Sequence, residues 1–355
     1  MIHWSASYSH GAMILDAHKF GCNFLLISRR FFMKSIYKKL QVTVAAIAIA
    51  GMSFSAAAEV KTVTISQAFQ SMLYLPLYVA IDKGFFKDQS LSVIKETAGS
   101  PTAALSSVLS GSSQFSIHGP EWTAIAASKG ANVGIISNAV NGAAVWIATA
   151  PDVKFTNIKD IKGQKVVTGL MPTTSTSLFL KLLKENGMSD KDIDMIQVPL
   201  GTEPAALLGG QAKVAVLYEP GLDQVAIKGM KVVLGFPKTY GAYAFSSITA
   251  MKTVDPVAAQ RMVNGMEVAL RYMAKDPKGT IEIAKKEFPT LDPQVVENAV
   301  TRMMNENVFP KSVQITPAAL KIAMDTQIAL GNLKEQPVFE NFINETYIQN
   351  ALKLK

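Results

Sequence analysis

The chain has 355 residues, 49% of them hydrophobic, with a net charge of +8 and a single cysteine. This length accommodates two ordinary domains, and one cysteine excludes a disulfide framework or a cysteine metal cluster. The positive charge does not indicate nucleic-acid binding: six of the 35 basic side chains but one of the 27 acidic ones lie in the first 58 residues, which leaves +3 for the rest.

Residues 33–58 have the pattern of a secretory signal peptide. Residues 33–39 are basic, residues 42–54 are apolar, and alanines at 56–58 supply small side chains for cleavage. We expect a cut after Ala58 and a periplasmic mature protein. A membrane anchor is the alternative, but the apolar run is shorter than the ~20 residues that span a bilayer.

Residues 1–32 precede this basic segment and do not fit a signal peptide. We interpret them as a non-native upstream extension, with Met33 as the true start; a functional extension is the alternative. The only cysteine, Cys22, lies before the cleavage site. No lipidated cysteine is therefore expected at the start of the mature chain.

Strand and helix patterns alternate from residue 61 onward. Val63 and Ile65 alternate with polar neighbours, as in a strand, and helical spacing then runs from Leu73 to Gly84. Further strands are predicted at 91–95, 114–117, 133–137 and 145–149, with helices at 103–109 and up to Lys129. Short connections between alternating strands and helices are typical of parallel βαβ units.

A second α/β unit follows. A hydroxyl run at 173–177 precedes a predicted helix at 178–186. Strands are predicted at 165–167, 193–198, 214–217 and 231–234, and helices at 204–208 and 222–228. A returning strand at 244–250 leads to helices at 256–274, 277–288, 293–305, 317–330, 337–343 and 346–352.

The order of these elements predicts two α/β lobes joined by a hinge of two crossings, near 146–149 and 245–249. We expect the first lobe to comprise 59–147 and 248–355, and the second lobe 148–247. The helical C-terminal segment needs a surface and should pack on the first lobe. Hinge closure around a ligand is a known motion for this shape.

Five segments resemble the substrate-binding proteins of ABC importers for nitrate, alkanesulfonates, taurine and thiamin-pyrimidine precursors. They are YLPLYVAIDKGFF at 74–86, ALSSVLSGSSQFSI at 104–117, IKDIKGQKVV at 158–167, YEP at 218–220 and DPKGTIEIA at 276–284. The resemblance covers about residues 60–342. It implies a bilobal periplasmic-binding-protein fold (type II-like). It also implies a periplasmic, non-enzymatic receptor that delivers a small solute to an inner-membrane permease and its ATPase. Separately, we expect the protein to be a monomer.

Ligand contacts are expected in loops at the carboxyl ends of the strands, where ligands bind in open α/β sheets. The candidates are Ser66, Gln67, Ser71, Tyr74, Ser100, Thr102, Gly119, Glu121, Asn141, Thr173, Thr174, Ser175, Thr176, Glu203 and Glu219. Tyr74, Trp122, Trp146 and Tyr218 are candidates for stacking on a ring, with core packing as the alternative.

Two ligand chemistries remain open at this stage. The hydroxyl-rich segments at 100–102 and 173–177 lie at predicted helix N-termini, which bind anions, although simple N-capping explains them too. No arginine lies in these loops, so a guanidinium clamp is not expected. Glu121, Glu203 and Glu219 suit an amine or amino-heterocycle; for the first two, the alternative is a position in the first turn of a helix, where the helix dipole favours an acid.

The favoured ligand is a sulfonate or taurine-like solute, with a thiamin-pyrimidine precursor as the alternative. An enzyme on the same scaffold is less favoured, because the fungal enzymes that make this pyrimidine carry a cysteine-rich motif that the chain lacks. His118 is the only histidine after residue 58. We therefore expect no metal, cofactor or catalytic residue.

Overall fold

Two five-stranded sheets organise residues Glu59–Lys355, the part of the chain that the computed structural model describes. The predicted signal peptide and upstream extension lie outside the described residues. The strands are β1 (Lys61–Gln67), β2 (Leu91–Thr97), β3 (Phe115–His118), β4 (Val133–Gly142), β5 (Trp146–Thr149), β6 (Lys165–Gly169), β7 (Asp194–Val198), β8 (Val214–Leu217), β9 (Lys231–Gly235) and β10 (Ala242–Met251).

The two sheets are mixed rather than purely parallel. The first has the order β2-β1-β3-β10-β4 and the second β7-β6-β8-β5-β9. In the first, β10 runs antiparallel to β3 and β4; in the second, β5 runs antiparallel to β8 and β9. The prediction of uniformly parallel units was wrong at these two strands. Each of them follows a strand of the other sheet through a short crossing (residues 143–145 and 236–241), rather than a strand of its own sheet through a βαβ connection that would make it parallel.

Fourteen helices surround the described sheets, with 3₁₀ turns at Met72–Tyr74, Ile158–Ile161 and Asp190–Asp192. They are α1 (Leu75–Asp82), α2 (Phe85–Asp88), α3 (Pro101–Leu109), α4 (Pro120–Ser128), α5 (Thr174–Glu185), α6 (Glu203–Leu208), α7 (Gly221–Ala226), α8 (Phe236–Tyr240), α9 (Pro256–Lys275), α10 (Pro277–Glu287), α11 (Pro293–Asn305), α12 (Pro317–Ala329), α13 (Phe339–Phe342) and α14 (Glu345–Leu352).

The strands define a first lobe, built on β1–β4 and β10, and a second lobe, built on β5–β9. Residues 143–145 make the first crossing between the sheets, and residues 236–241, which include α8, make the second. Both crossings lie a few residues before the positions expected from the sequence, because β5 already belongs to the second sheet and all of β10 to the first.

The C-terminal helices pack mainly on the first lobe, as expected. Helices α9 and α10 lie on α1, and α12 lies on β10. However, α11 also contacts α7, and α12 also contacts α5, so two of these helices touch the second lobe as well. The C-terminal segment is thus a bridge between the lobes in addition to the two crossings.

Four of these helices begin with a proline preceded by a capping side chain. The side chains of Asp255, Asp276, Asp292 and Thr316 each accept a hydrogen bond from a backbone N–H in the first turn. Proline suits the first helical position because it lacks an N–H that would have no partner there. Within residues 59–355, no helix is both long and apolar enough to cross a membrane.

Candidate functional site: the cleft between the lobes

The carboxyl ends of β1, β3, β6, β7 and β8 face a common cleft between the two lobes. Two small cavities lie there, of about 20 Å³ and about 80 Å³. Phe69, Leu200 and Tyr218 line both of them and separate one from the other. Typical small-molecule sites measure a few hundred Å³, so both cavities are smaller than such sites in this arrangement of the lobes.

Aromatic rings from both lobes form the wall between the cavities. The ring of Phe69, from the first lobe, lies nearly parallel to that of Tyr218, from the second, with centroids 6.3 Å apart. Phe245 meets Tyr218 edge-on at 5.8 Å, and Tyr74 lies 5.6 Å from Phe69. The cleft therefore offers ring faces and edges to a planar or apolar ligand.

A direct hydrogen bond joins helices α4 and α5 across the cleft. The hydroxyl of Thr174, in the first turn of α5, donates to Oε1 of Glu121 in α4 at 2.5 Å. The Glu121 carboxylate lies against Gly119, where an added Cβ would collide with both of its oxygens. Burial raises the pKa of Glu121 to about 7, so its protonation changes near neutral pH.

The hydroxyl run does not precede helix α5, as the sequence suggested, but forms its first turn. Thr173 is the N-cap residue, without a capping side-chain hydrogen bond, and lines the smaller cavity with Thr174. Thr176 turns inward and donates to the carbonyl of Gly169 at 2.6 Å. The N–H of Ser175 donates to the Tyr218 hydroxyl at 2.8 Å, so this helix end is tied to the aromatic wall.

A second buried acid, Glu203, lines the larger cavity. It begins α6, and its Oε2 accepts the N–H of Gly201 at 2.7 Å. Burial raises the pKa of Glu203 to about 7. Glu203 thus lies in the first turn of its helix and also on the cavity wall, so both positions considered from the sequence apply to it.

Glu219 also lines the larger cavity, but its carboxylate has other partners. Nε of Arg302 donates to Oε1 at 2.9 Å, and the N–H of Asp223 donates to Oε2 at 3.1 Å. Burial and the neighbouring Asp223 raise the pKa of Glu219, against the opposing effect of Arg302. Glu219 stays a predicted ligand contact, but its carboxylate is already bonded to Arg302, which reaches it from α11.

The polar residues after β1 mostly bond to one another. Gln67 donates to Thr97 at 2.7 Å and to Gln70 at 2.9 Å, and it accepts from the Tyr78 hydroxyl at 2.7 Å. Ser71 lines the larger cavity and caps the following 3₁₀ turn through the N–H of Leu73. Gln67 is therefore a structural residue that fixes this loop, and Ser66, buried within β1, lies on neither cavity.

Three other predicted contacts, Ser100, Thr102 and Asn141, line neither cavity. Ser100 caps α3 through the N–H of Ala103 at 3.2 Å, and Thr102 is exposed. Asn141 is part of β4, where its side-chain oxygen accepts from Asn138 at 3.2 Å and its N–H donates to the carbonyl of Val308. For Ser100 the structure shows the alternative of simple N-capping, and the Asn141 side chain bonds within β4.

Sequence reasoning missed Phe69, Leu200 and Phe245 as cavity-lining residues. Phe69 and Leu200 lie in loops whose polar residues drew attention instead. Phe245 lies near the beginning of β10, which reaches the cleft only because β10 runs antiparallel. Trp146, a stacking candidate, lines neither cavity; its indole N–H donates to Glu306 at 2.8 Å.

The electrostatics of the cleft are acidic. Neither cavity is lined by lysine, arginine or histidine, whereas Glu203 and Glu219 line one cavity and Glu121 bounds the other. Among residues 59–355, no group of three metal-ligating side chains is positioned to hold an ion. Carboxyl groups, hydroxyls and aromatic rings are thus the chemical groups that this cleft presents.

Comparison with known proteins gives a matching family model and a similar curated protein. The family model described as NMT1/THI5 like matches residues 72–280, more than half of the chain. YtlA of Bacillus subtilis (strain 168), which carries the name of a binding protein, is 22% identical over 304 residues, covering 82% of this chain and 90% of YtlA.

Two solved structures illustrate the range of proteins with this fold. The periplasmic aliphatic sulphonate binding protein SsuA from Escherichia coli has a TM-score of 0.66 at 15% identity, covering 80% of this chain and 92% of SsuA. The desulfurization enzyme DszB has a TM-score of 0.62 at 12% identity, covering 82% of this chain and 99% of DszB. At these identities the likeness concerns the fold.

Proposed function

The chain belongs to the NMT1/THI5-like family, and we propose that it is the solute-binding receptor of an ABC import system. The observation that supports this most is the cleft: both lobes contribute its walls, and Thr174 bonds to Glu121 across it. A solute would bind to the open form, and closure would bury it between the aromatic rings. The permease would then recognise the closed receptor.

A sulfonate or taurine-like solute is the first ligand class we propose. The E. coli SsuA structure, named for sulphonate binding, supports it, as does the buried first turn of α5 with its hydroxyls. A helix of this length carries a partial positive charge at its N-terminus. Without a lysine or arginine on the cavity walls, that end and the hydroxyls would carry the anion.

An amine-bearing ring, such as a thiamin-pyrimidine precursor, is the second ligand class. The two carboxyl groups of Glu121 and Glu203 would accept hydrogen bonds from amino groups, and Phe69 and Tyr218 would stack on the ring. The acidic character of the cleft supports this class, because carboxyl groups accept hydrogen bonds from amino groups.

Thermal unfolding of residues 59–355 with a panel of taurine, alkanesulfonates, nitrate and aminopyrimidines tests the proposal. A ligand that binds only the folded state adds about 2.7 kcal/mol at a hundred times its Kd, which raises the melting temperature. We expect one member to produce such a rise, and calorimetry to give one site per chain. A panel without any shift would reject both ligand classes and leave the fold unaffected.

The remaining features of this receptor are also proposals. We propose a periplasmic monomer, released by cleavage after Ala58, with an inner-membrane permease and its ATPase as partners. We further propose binding without turnover, although DszB shows that an enzyme can use this fold. Recovery of the bound solute unchanged by mass spectrometry would support the receptor, and a modified product would support an enzyme.

A further inference from the structure

Helix α11 contacts the second lobe through the side chain of Arg302. Its Nε donates to Oε1 of Glu219 at 2.9 Å, and its Nη2 donates to Oδ1 of Asp223 at 2.8 Å. The carboxylate side chains are 0% and 3% exposed. One guanidinium thus holds two buried carboxylates, a geometry that its planar set of donors allows and a lysine ammonium does not.

This contact fixes the aromatic wall of the cleft. Glu219 directly follows Tyr218, which lines both cavities and faces Phe69 of the first lobe. The second oxygen of Glu219 accepts the N–H of Asp223 at 3.1 Å, so the carboxylate is held from two sides. Arg302, which lines neither cavity, thus holds the residue next to Tyr218, while Ser175 bonds to the hydroxyl of its ring.

Helix α11 is itself fastened to the first lobe and to the first crossing. It packs on α10, which packs on α1 of the first lobe. Immediately beyond its end, Oε2 of Glu306 accepts the indole N–H of Trp146, the first residue of β5 after the crossing. Movement of the second lobe away from the first would pull both Trp146 and Glu219 from these partners.

We propose that Arg302 is a positioning residue of the solute site: from the C-terminal helices it holds the Tyr218 wall, and with it the second lobe, in the closed position. The inference rests on the proposed function, since it takes Tyr218 as a wall of the ligand site. Arg302 acts through Glu219 and Asp223, without touching the solute.

Residues 59–355 contain no cysteine, so two spin labels can be placed without background. Ser106→Cys on α3 and Lys184→Cys on α5 place one exposed label on each lobe. Pulsed electron resonance then gives the distance distribution between the lobes in the absence of solute. We expect Arg302→Gln to shift this distribution to longer distances. Arg302→Lys should lie between parent and Arg302→Gln, because it keeps the charge but not the double contact.

Arg261→Gln is the matched control. Arg261 is also a helical arginine, but its guanidinium donates to the carbonyls of Glu59 and Ser90 within the first lobe. The distribution for Arg261→Gln should equal that of the parent. For the panel member that stabilises the parent protein, Arg302→Gln should weaken binding about tenfold or more, and Arg261→Gln should not.

Folded Arg302→Gln and Arg302→Lys proteins with the parent distance distribution would overturn the proposal. If Arg302→Gln does not fold, the distribution of Arg302→Lys decides alone. Because the distances are measured without solute, a panel that contains no ligand leaves this test intact. Conversely, tight binding with unchanged distances would reject the role of Arg302 and leave the receptor function standing.

Discussion

The two hydroxyl-rich helix N-termini, at Ser100–Thr102 and at Thr173–Ser177, resemble each other in sequence but differ in their surroundings. The first lies at the edge of the cleft: Pro101 lines the smaller cavity, but Ser100 caps its own helix and Thr102 is exposed. The second is buried between the lobes, where Thr174 donates to a buried carboxylate 53 residues away. A short pattern of hydroxyls predicts a helix start in both cases, but whether the helix end meets another lobe depends on tertiary structure.

Substitution of Glu121, the buried acid that the N-terminus of α5 contacts, should give the largest effect on the free energy of unfolding. Burial raises the pKa of Glu121 from its usual 4.5 to about 7 in the folded protein. The folded state then binds more protons than the unfolded state between those values, so stability is full below pH 4.5 and is lost as pH rises through 7. Glu121→Gln removes this ionisation and should raise the free energy of unfolding at pH 8 by about 3 kcal/mol.

Urea denaturation at pH 4 and pH 8 measures this effect. The variant and the parent should agree more closely at pH 4, where the parent carboxyl is protonated and still accepts from Thr174. Glu96→Gln, which changes an exposed carboxyl on β2, is the control and should follow the parent at both values. Equal stabilities of Glu121→Gln and parent at pH 8 would show that Glu121 is not buried in this way.

The second-largest effect on stability is expected from removal of the Thr174 hydroxyl, the donor in the hydrogen bond to Glu121. Thr174→Val keeps the shape of the side chain but leaves the buried Glu121 oxygen without this hydrogen bond, which should cost about 1–3 kcal/mol of unfolding free energy. It should also weaken solute binding, since Thr174 lines the smaller cavity.

Thr102→Val tests the other helix end with the same substitution. Thr102 is exposed and its hydroxyl bonds only to Ser100, so we expect a change within about 0.5 kcal/mol and no change in solute affinity. Chemical denaturation and calorimetry provide both values. Equal losses for Thr174→Val and Thr102→Val would remove the distinction between the two helix ends.

Loss of the surface cap should have the smallest effect on the cleft. Ser100→Ala removes the acceptor for the N–H of Ala103, and loss of such a cap typically costs about 1 kcal/mol. Ser106→Ala, an exposed change in the same helix, is the control and should be neutral or slightly stabilising. If Ser100→Ala weakened solute binding without loss of stability, the first helix end would belong to the site after all.

Local sequence patterns were sufficient for most of the fold. Capping residues and prolines located the long C-terminal helices closely, because those signals act within one turn. The strand directions were harder, since alternation of apolar residues is the same in parallel and antiparallel strands. For β5 and β10 the direction follows from where the chain crosses between sheets, which no local pattern encodes.

The candidate site was harder to predict from local sequence patterns, because its contacts also depend on tertiary structure. Its loops were found because carboxyl ends of strands are predictable, and Tyr74, Gly119, Thr173, Thr174 and Glu203 do line the cavities. The partner of Glu219 was not predicted, because Arg302 lies 83 residues away on a helix whose sequence pattern does not set it apart from other helices. Contacts over that separation depend on packing rather than on spacing.

The position of β10 has a consequence for the order in which the chain can fold. β10 separates β3 from β4 in the first sheet, yet it follows the whole second sheet in the sequence. Until residues 242–251 have been synthesised, β4 has no strand beside it, whereas β5–β9 are contiguous and can pair at once. We therefore expect the second lobe to form early and the first sheet to close late, by contacts of high sequence separation that slow folding.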